Sequence, residues 1–328
     1  MEATANAVAK LHRHEKKDGN VSIIYAGGGD VHRDADANVL ITGAAADNWA
    51  FASLNGYLVC GQAGESMEVF DESTWASAVV TNTTFTEPNI LAVGYGRVWA
   101  AGVSGNDYTV YWCDILDPTN WDTGDSGALD LTNVFVNGKD TITGLTVFSN
   151  RVVIFCKRSI YVYAMPPDDP NPALMQLVDT IDNVGCIARD SIQQTGNDVY
   201  FLSEAGMMSL GRLVESEYSF PLNNLSSLVK DQFLGTMLAG DLNSIRSLYY
   251  PEMGWYLICS PYASQVYVFN TLLKVPEYNT PRITVWRDTV TPIQSFCLDS
   301  EGNLVVGMGG GYYLYSGYGD LAAPYELT

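Results

Sequence analysis

Histidine is nearly absent from this chain. Of 328 residues only His12, His14 and His32 are histidines, all near the N-terminus. A serine-protease mechanism needs a histidine base beside its nucleophile and a buried aspartate behind it. Gly124-Asp125-Ser126-Gly127 copies the residues around such a nucleophile, but no histidine stands in a protease context and Ala128-Leu129 follows instead of Gly-Pro. The four residues read as a loop. Basic residues are scarce as well, with 17 Lys and Arg against 37 Asp and Glu and a formal net charge of −20. Beyond the N-terminal KLHRHEKK nothing could grip a run of phosphates, which argues against a sequence-specific DNA or RNA binder. No run of 18 apolar residues exists, so no transmembrane helix is expected. MEATANAVAKLHRHEKKDGN lacks the apolar centre of a signal peptide, and the expectation is a cytoplasmic start.

Paired cysteine motifs are also missing. The six cysteines include no CxxC, which removes zinc-ribbon and thioredoxin-type readings. Cys60, Cys113, Cys156 and Cys259 fall in separate apolar runs and read as buried free thiols. Asp34-Ala35-Asp36-Ala37-Asn38 alternates oxygen ligands like a calcium loop, but Val39 and Ala45 stand where the sixth-position Gly and twelfth-position acid belong. Asp117, Asp122 and Asp125 form a second acidic turn, read by default as solvated carboxylates. Gly27-Gly28-Gly29 and Gly309-Gly310-Gly311 lack the spacing and following helix of a phosphate site and read as hairpin turns. Sialidase Asp-box turns are absent, and Asn82-Thr83-Thr84 and Asn224-Leu225-Ser226 matter as glycosylation acceptors only in a secreted protein. No catalytic, cofactor-binding or metal-binding residue is assigned, and the expectation is a protein that is not an enzyme.

What the chain does carry is a repeat. Six times a tight turn precedes an apolar strand, then a second turn and an aromatic-rich strand. The turns are Asn55-Gly56, Tyr95-Gly96, Ser149-Asn150, Gly196-Asn197, Met253-Gly254 and Glu301-Gly302. From Gly56 to Gly302 their mean spacing is about 49 residues, close to that of a propeller blade. The 20 Tyr and 7 Trp favour strands, where aromatic side chains pack well. The fold class is all-β: a β-propeller over 21–328, with six blades at 49–71, 88–121, 142–165, 190–212, 244–270 and 292–316. A seventh, degenerate blade from 21–45 is the competing count. Residues 1–20 are read as a short helical or disordered arm, and VSIIYA (21–26) as a strand that closes the final blade. Further strands are read at 128–136, 174–181 and 282–286. LSSLVKDQFLG (225–235) has helical spacing of Leu225, Leu228, Val229 and Phe233. Val152, Ile154, Tyr161 and Tyr163 alternate along paired strands and should be buried between blades.

Three stretches resemble one family. YTVYWCDILDPTNW (108–121), ITGLTVFSNRVVIFCKRSIYVY (142–163) and NVGCIARDSIQQTGNDVYFLSEAGMMSL (183–210) are similar to blade segments of the tail nozzle, or tail tubular, proteins and packaged-DNA stabilisation proteins of short-tailed bacteriophages. The likeness is clear over 88–212 and weak in the other blades. It implies a virion protein of the tail, assembled in the host cytoplasm: a homo-hexameric ring below the portal and adaptor. Such a ring retains DNA, takes part in its ejection and attaches fibres or a spike, while genomic DNA passes without specific binding. Members often continue into a platform domain, whereas this sequence stops at PYELT (324–328), which is either a short version or part of a longer chain. On this reading the acidity keeps DNA from adhering; otherwise it serves solubility. The second reading is a receptor- or carbohydrate-binding propeller on a virion or cell surface, with Trp99, Trp112, Trp121 and Trp286 as available aromatics, though their place in strands favours core packing.

Overall fold

The computed structural model describes all residues except 1, 5, 136–137, 167–170, 212–223, 277–279, 289–290, 316–324 and 328. Seven antiparallel sheets make a seven-bladed β-propeller arrangement. Blade 1 holds Lys10–Glu15, Val21–Gly27, Asp30–Arg33 and Ala35–Ile41. Blade 2 holds Ala50–Leu54, Tyr57–Gln62 and Glu65–Asp71. Blade 3 holds Ile90–Gly94, Arg97–Ala101, Thr109–Trp112 and Gly127–Asp130. Blade 4 holds Ile142–Phe148, Arg151–Cys156, Ser159–Ala164 and Gln176–Asp182. Blade 5 holds Gln193–Gln194, Val199–Ser203 and Gly206–Ser209. Blade 6 holds Arg246–Tyr250, Trp255–Ser260, Gln265–Val275 and Thr280–Asp288, with Tyr325–Leu327 as a fifth strand. Blade 7 holds Ser295–Leu298, Leu304–Met308 and Gly311–Leu314, with Glu2–Ala3 on its edge.

The six blade cores expected from the repeat each coincide with one sheet, and the competing count of seven is the one that holds. Two expectations for the N-terminus are corrected. The helical or disordered arm expected over 1–20 is replaced in its second half by a strand, because Lys10–Glu15 is the first strand of blade 1. Its Leu11 and His14 are buried, which ties the segment into the fold although its other side chains are partly or fully solvated. VSIIYA does not close the last blade; it belongs to blade 1, and Glu2–Ala3 pairs instead with Gly311 and Tyr312. Two main-chain bonds, Thr4 N–H to Gly310 O and Val8 N–H to Met308 O, extend that tie. The extra strands appear at Gly127–Asp130, Gln176–Asp182 and Thr280–Asp288, and the helix at Lys230–Met237. Val136, residue 212 and residue 316 of the expected segments lie outside the described residues.

Turn chemistry explains the hairpins. Asn55 and Gly56 have φ of 49° and 77°, Tyr95 and Gly96 55° and 66°, and Ser149 and Asn150 49° and 57°. Two successive left-handed residues are the demand of a two-residue turn whose twist matches its strands. The chain divides into two compact units, 1–13 with 23–43 and 190–328, and 14–22 with 44–189. In the second unit Trp99, Val110 and Trp112 of blade 3 pack with Val152, Ile154, Tyr161 and Tyr163 of blade 4. The four residues expected to be buried there are all below 5% exposed. Val59 and Val69 of blade 2 meet Val98, Ala100 and Tyr111 on the other face of blade 3. In the first unit Val266 and Trp286 of blade 6 pack with Phe296 and Leu304 of blade 7, and Val8, Leu11 and Tyr25 with Cys297 and Val305. Each buried Val, Leu, Ile or Phe among them contributes roughly 1.5–3 kcal/mol on leaving water.

Candidate functional site

The acidic turn DILDPTNWDTGD (114–125) links the third and fourth strands of blade 3 and is organised around its own carboxylates. Asp114 Oδ1 accepts the N–H of Ile115 at 2.8 Å and of Asp125 at 3.1 Å. Asp117 Oδ1 accepts both the N–H and the hydroxyl of Thr119, at 3.0 and 2.6 Å. Asp122 accepts the N–H of Thr83 and the hydroxyl of Thr84, and these bonds, led by the backbone one, hold its carboxyl below the usual aspartate range. The Trp121 indole donates to Pro118 O at 2.8 Å, and its ring packs edge-on to Phe85. Beneath the turn lies Arg97, 2% exposed, which donates to Cys113 O at 2.9 Å and Asp125 O at 3.3 Å. Its second nitrogen stands 3.5 Å from Asp125 Oδ2. The turn is therefore a fixed, carboxylate-bearing surface, with the buried Arg97 guanidinium beneath it. Among the described residues no group of three or more His, Cys, Asp or Glu is placed to hold a metal.

The other sequence candidates are dispersed. Ser126 donates its hydroxyl to Thr123 O at 2.8 Å. His14 is fully buried, with Nδ1 2.9 Å from Ser53 Oγ and Nε2 3.4 Å from Glu72, and His32 stacks on Tyr25. Asp34, at φ 61°, accepts the Ile23 N–H at 2.8 Å and so serves its own sheet. Trp99, Trp112, Trp121 and Trp286 are all 6% exposed or less and present no stacking platform for a sugar. All six cysteines are free and buried, and burial pushes Cys113 up to about 11 and Cys259 and Cys297 up to about 12. Both triple glycines sit at hairpin turns, Gly27 opposite Asp30 and Met308 opposite Gly311.

Two features were not legible in the sequence. In the first unit Asp190 joins Lys10 at 2.8 Å and Arg246 at 3.1 Å, all three side chains largely buried. Residues 180 apart in sequence carry no local signal for such a cluster. In the second unit a pocket of about 60 Å³ opens beside blade 4, lined by Gly138, Asp140, Arg158, Ser159, Tyr161, Asp182 and Asn183. Asp140 holds one wall rigid, accepting from the Thr141 and Arg158 N–H groups and the Ser159 hydroxyl at 2.8–2.9 Å. The adjoining strand Gln176–Asp182 is the outermost of its sheet, and Leu174, Leu177 and Val178 beside or on it are 42–50% exposed.

No family model and no curated protein matches the chain. Solved structures do. U3-55K is similar at 12% identity and a TM-score of 0.56, over 94% of this chain and 90% of that one. The extracellular domain of the putative hybrid two-component system BT4673 from B. thetaiotaomicron is similar at 11% identity and a TM-score of 0.61. That match covers 97% of this chain but 39% of the other. The computationally designed protein Ika8 is similar at 14% identity and a TM-score of 0.51, over 96% and 98% of the two chains. These likenesses establish the fold. At such identities they carry no function.

Proposed function

We propose that this chain is a structural, non-catalytic propeller of a bacteriophage tail. In this reading copies of it form a hexameric nozzle or hub below the portal and adaptor, help retain and release DNA, and anchor fibres or a spike. The observation that carries the reading is the run of three family-like segments, 108–121, 142–163 and 183–210, on the consecutive blades 3, 4 and 5. Their shared residues have architectural roles: Trp112 and Trp121 are buried, Asp117 and Thr119 close a turn, and Ile160 and Phe201 fill the interior. The carboxylates of the 114–125 turn are the kind of surface past which DNA moves without adhering, since Lys and Arg contacts supply most of the hold on phosphates. Cryo-electron microscopy of the native particle tests the proposal by showing six copies on the tail axis. A copy number other than six, or a position away from the tail, refutes it.

The second reading is a receptor- or carbohydrate-binding propeller on a surface. Its support is the polar pocket beside blade 4, lined by Asp140, Arg158, Ser159 and Asp182. Saturable binding of the isolated chain on a glycan array, lost on substituting Arg158, would select this reading over the first.

A further inference from the structure

The outer edge of blade 4 has three properties that belong together. The first is an unpaired strand: Gln176–Asp182 pairs with Ser159–Ala164 on one side and with no strand among the described residues on the other. A strand edge presents main-chain donors and acceptors that another chain can pair with. In blade 6 the same outermost position is occupied, because Tyr325–Leu327 adds antiparallel to Thr280–Asp288. The second property is apolar exposure. Where the register shifts, Tyr163 faces Leu177 and Val162 faces Asp179, so Val178 is left over, and both Leu177 and Val178 turn to solvent. The third is charge: Asp179 and Asp182 are the strand's only ionisable side chains, and beyond Asp182 the edge meets the pocket, whose lining holds Asp140 and Arg158.

We propose that this edge is a β-augmentation site for an extended, basic segment of a partner protein. Thr180 shows the mode of docking. Its N–H donates to its own neighbour, Asp179 Oδ1, at 2.8 Å. An incoming carbonyl takes that N–H, and the released carboxylate pairs with a Lys or Arg on the incoming strand. Apolar residues of the segment cover Leu177 and Val178, and a terminal cation lies against Asp182 at the mouth of the pocket. A second copy of this chain is the less favoured occupant. Two copies paired antiparallel about Asp179 would set Asp179 against Asp179, and like charges directly opposite are unfavourable. The net charge of −20 adds long-range repulsion between copies. The inference stands on the blade itself and holds whichever assembly the propeller serves.

The test uses a fluorescein-labelled octapeptide of alternating Val and Lys, its Val-Glu counterpart, and the full chain. Anisotropy should show saturable 1:1 binding of the Val-Lys peptide only, with hydrogen-exchange protection confined to 176–183. Thr180→Pro, which removes the N–H, and Asp179→Lys, which reverses the charge, should each weaken binding at least tenfold while thermal melting stays near that of the parent. Unchanged affinity in both variants, or protection elsewhere on the chain, overturns the site. Equal binding of the Val-Glu peptide overturns the assigned chemistry. Self-association of the chain alone that disappears in Asp179→Lys would make a second copy the occupant and likewise overturn the proposal.

Discussion

Replacing Arg97 tests what holds the 114–125 turn. The guanidinium touches the carbonyls of Cys113 and Asp125 and the carboxylates of Asp125 and Asp114, the last at 3.9 Å. If the ion pair dominated, removing either partner would cost a similar amount. The geometry says otherwise. The Asp125 side chain is 57% exposed and regains water when its partner is lost, so the pair is worth under about 1 kcal/mol. The two carbonyl contacts are different, because Cys113 O lies in the interior and loses its charged donor outright. A hydrogen bond to a charged group contributes about 1.5–3 kcal/mol. Arg97→Ala should therefore cost about 3–6 kcal/mol, and Asp125→Asn under about 1 kcal/mol. Arg97→Lys should fall between them, because an ammonium cannot fork to both carbonyls. Urea unfolding followed by tryptophan fluorescence reads all three, since Trp112 Nε1 donates to Asp125 O at 2.9 Å beside the site. An Asp125→Asn loss as large as that of Arg97→Ala would refute the backbone-clamp account and restore the salt bridge.

Three further outcomes are expected. Ile154→Asp should abolish folding, with no soluble, cooperatively melting protein, because an unpaired charge would sit at a position with no solvent exposure; Ile154→Ala should fold with a loss of about 2–5 kcal/mol in urea titration. Deleting residues 1–8 should strip the edge strand from blade 7 together with buried Val8, lowering the melting temperature by several degrees or more, and circular dichroism reads the shift. The buried thiols have folded pKa values raised above those of the unfolded chain, so their contribution to stability is complete below about pH 9 and is lost as pH rises through about 11–12; alkaline unfolding and thiol reaction with Ellman's reagent should coincide, with no labelling of native protein at pH 8.

The repeat was legible because its signal is chemical and local. Gly56, Gly96, Gly254 and Gly302 all have φ between 62° and 84°, and few other residues adopt such angles without strain. Each was followed by an apolar run too short for a helix, so turn and strand fixed each other. Blade 1 escaped the pattern for the same reason in reverse. Its first turn, at 16–19, follows KLHRHE, where only Leu11 and His14 are buried and four of six side chains are charged or partly solvated. Without apolar alternation that segment resembles a soluble arm. The closing strand Glu2–Ala3 is two residues long and takes its register from Gly311 and Tyr312 more than 300 positions away, which no local reading recovers.

The site behaved differently from the fold. Carboxylates in turns look alike in sequence whether they await a cation or cap a backbone, and only the donors around them decide. At Asp117 the donors are Thr119 N–H and hydroxyl, both to Oδ1, and at Asp122 they are Thr83 and Thr84 from an earlier loop, so these carboxylates cap the protein's own backbone. The aromatic residues follow the same logic. Trp99 and Trp112 lie directly across a strand pair with ring centres 5.5 Å apart, and the face they share is the one that blade 4 covers. The outer edge of blade 4 reverses the case: Leu177 and Val178 read as core in a one-dimensional pattern, and a single register shift beside them turns both outward. What a β-propeller offers to a partner is set by such departures from its repeat, because the repeat itself is consumed in packing one blade on the next.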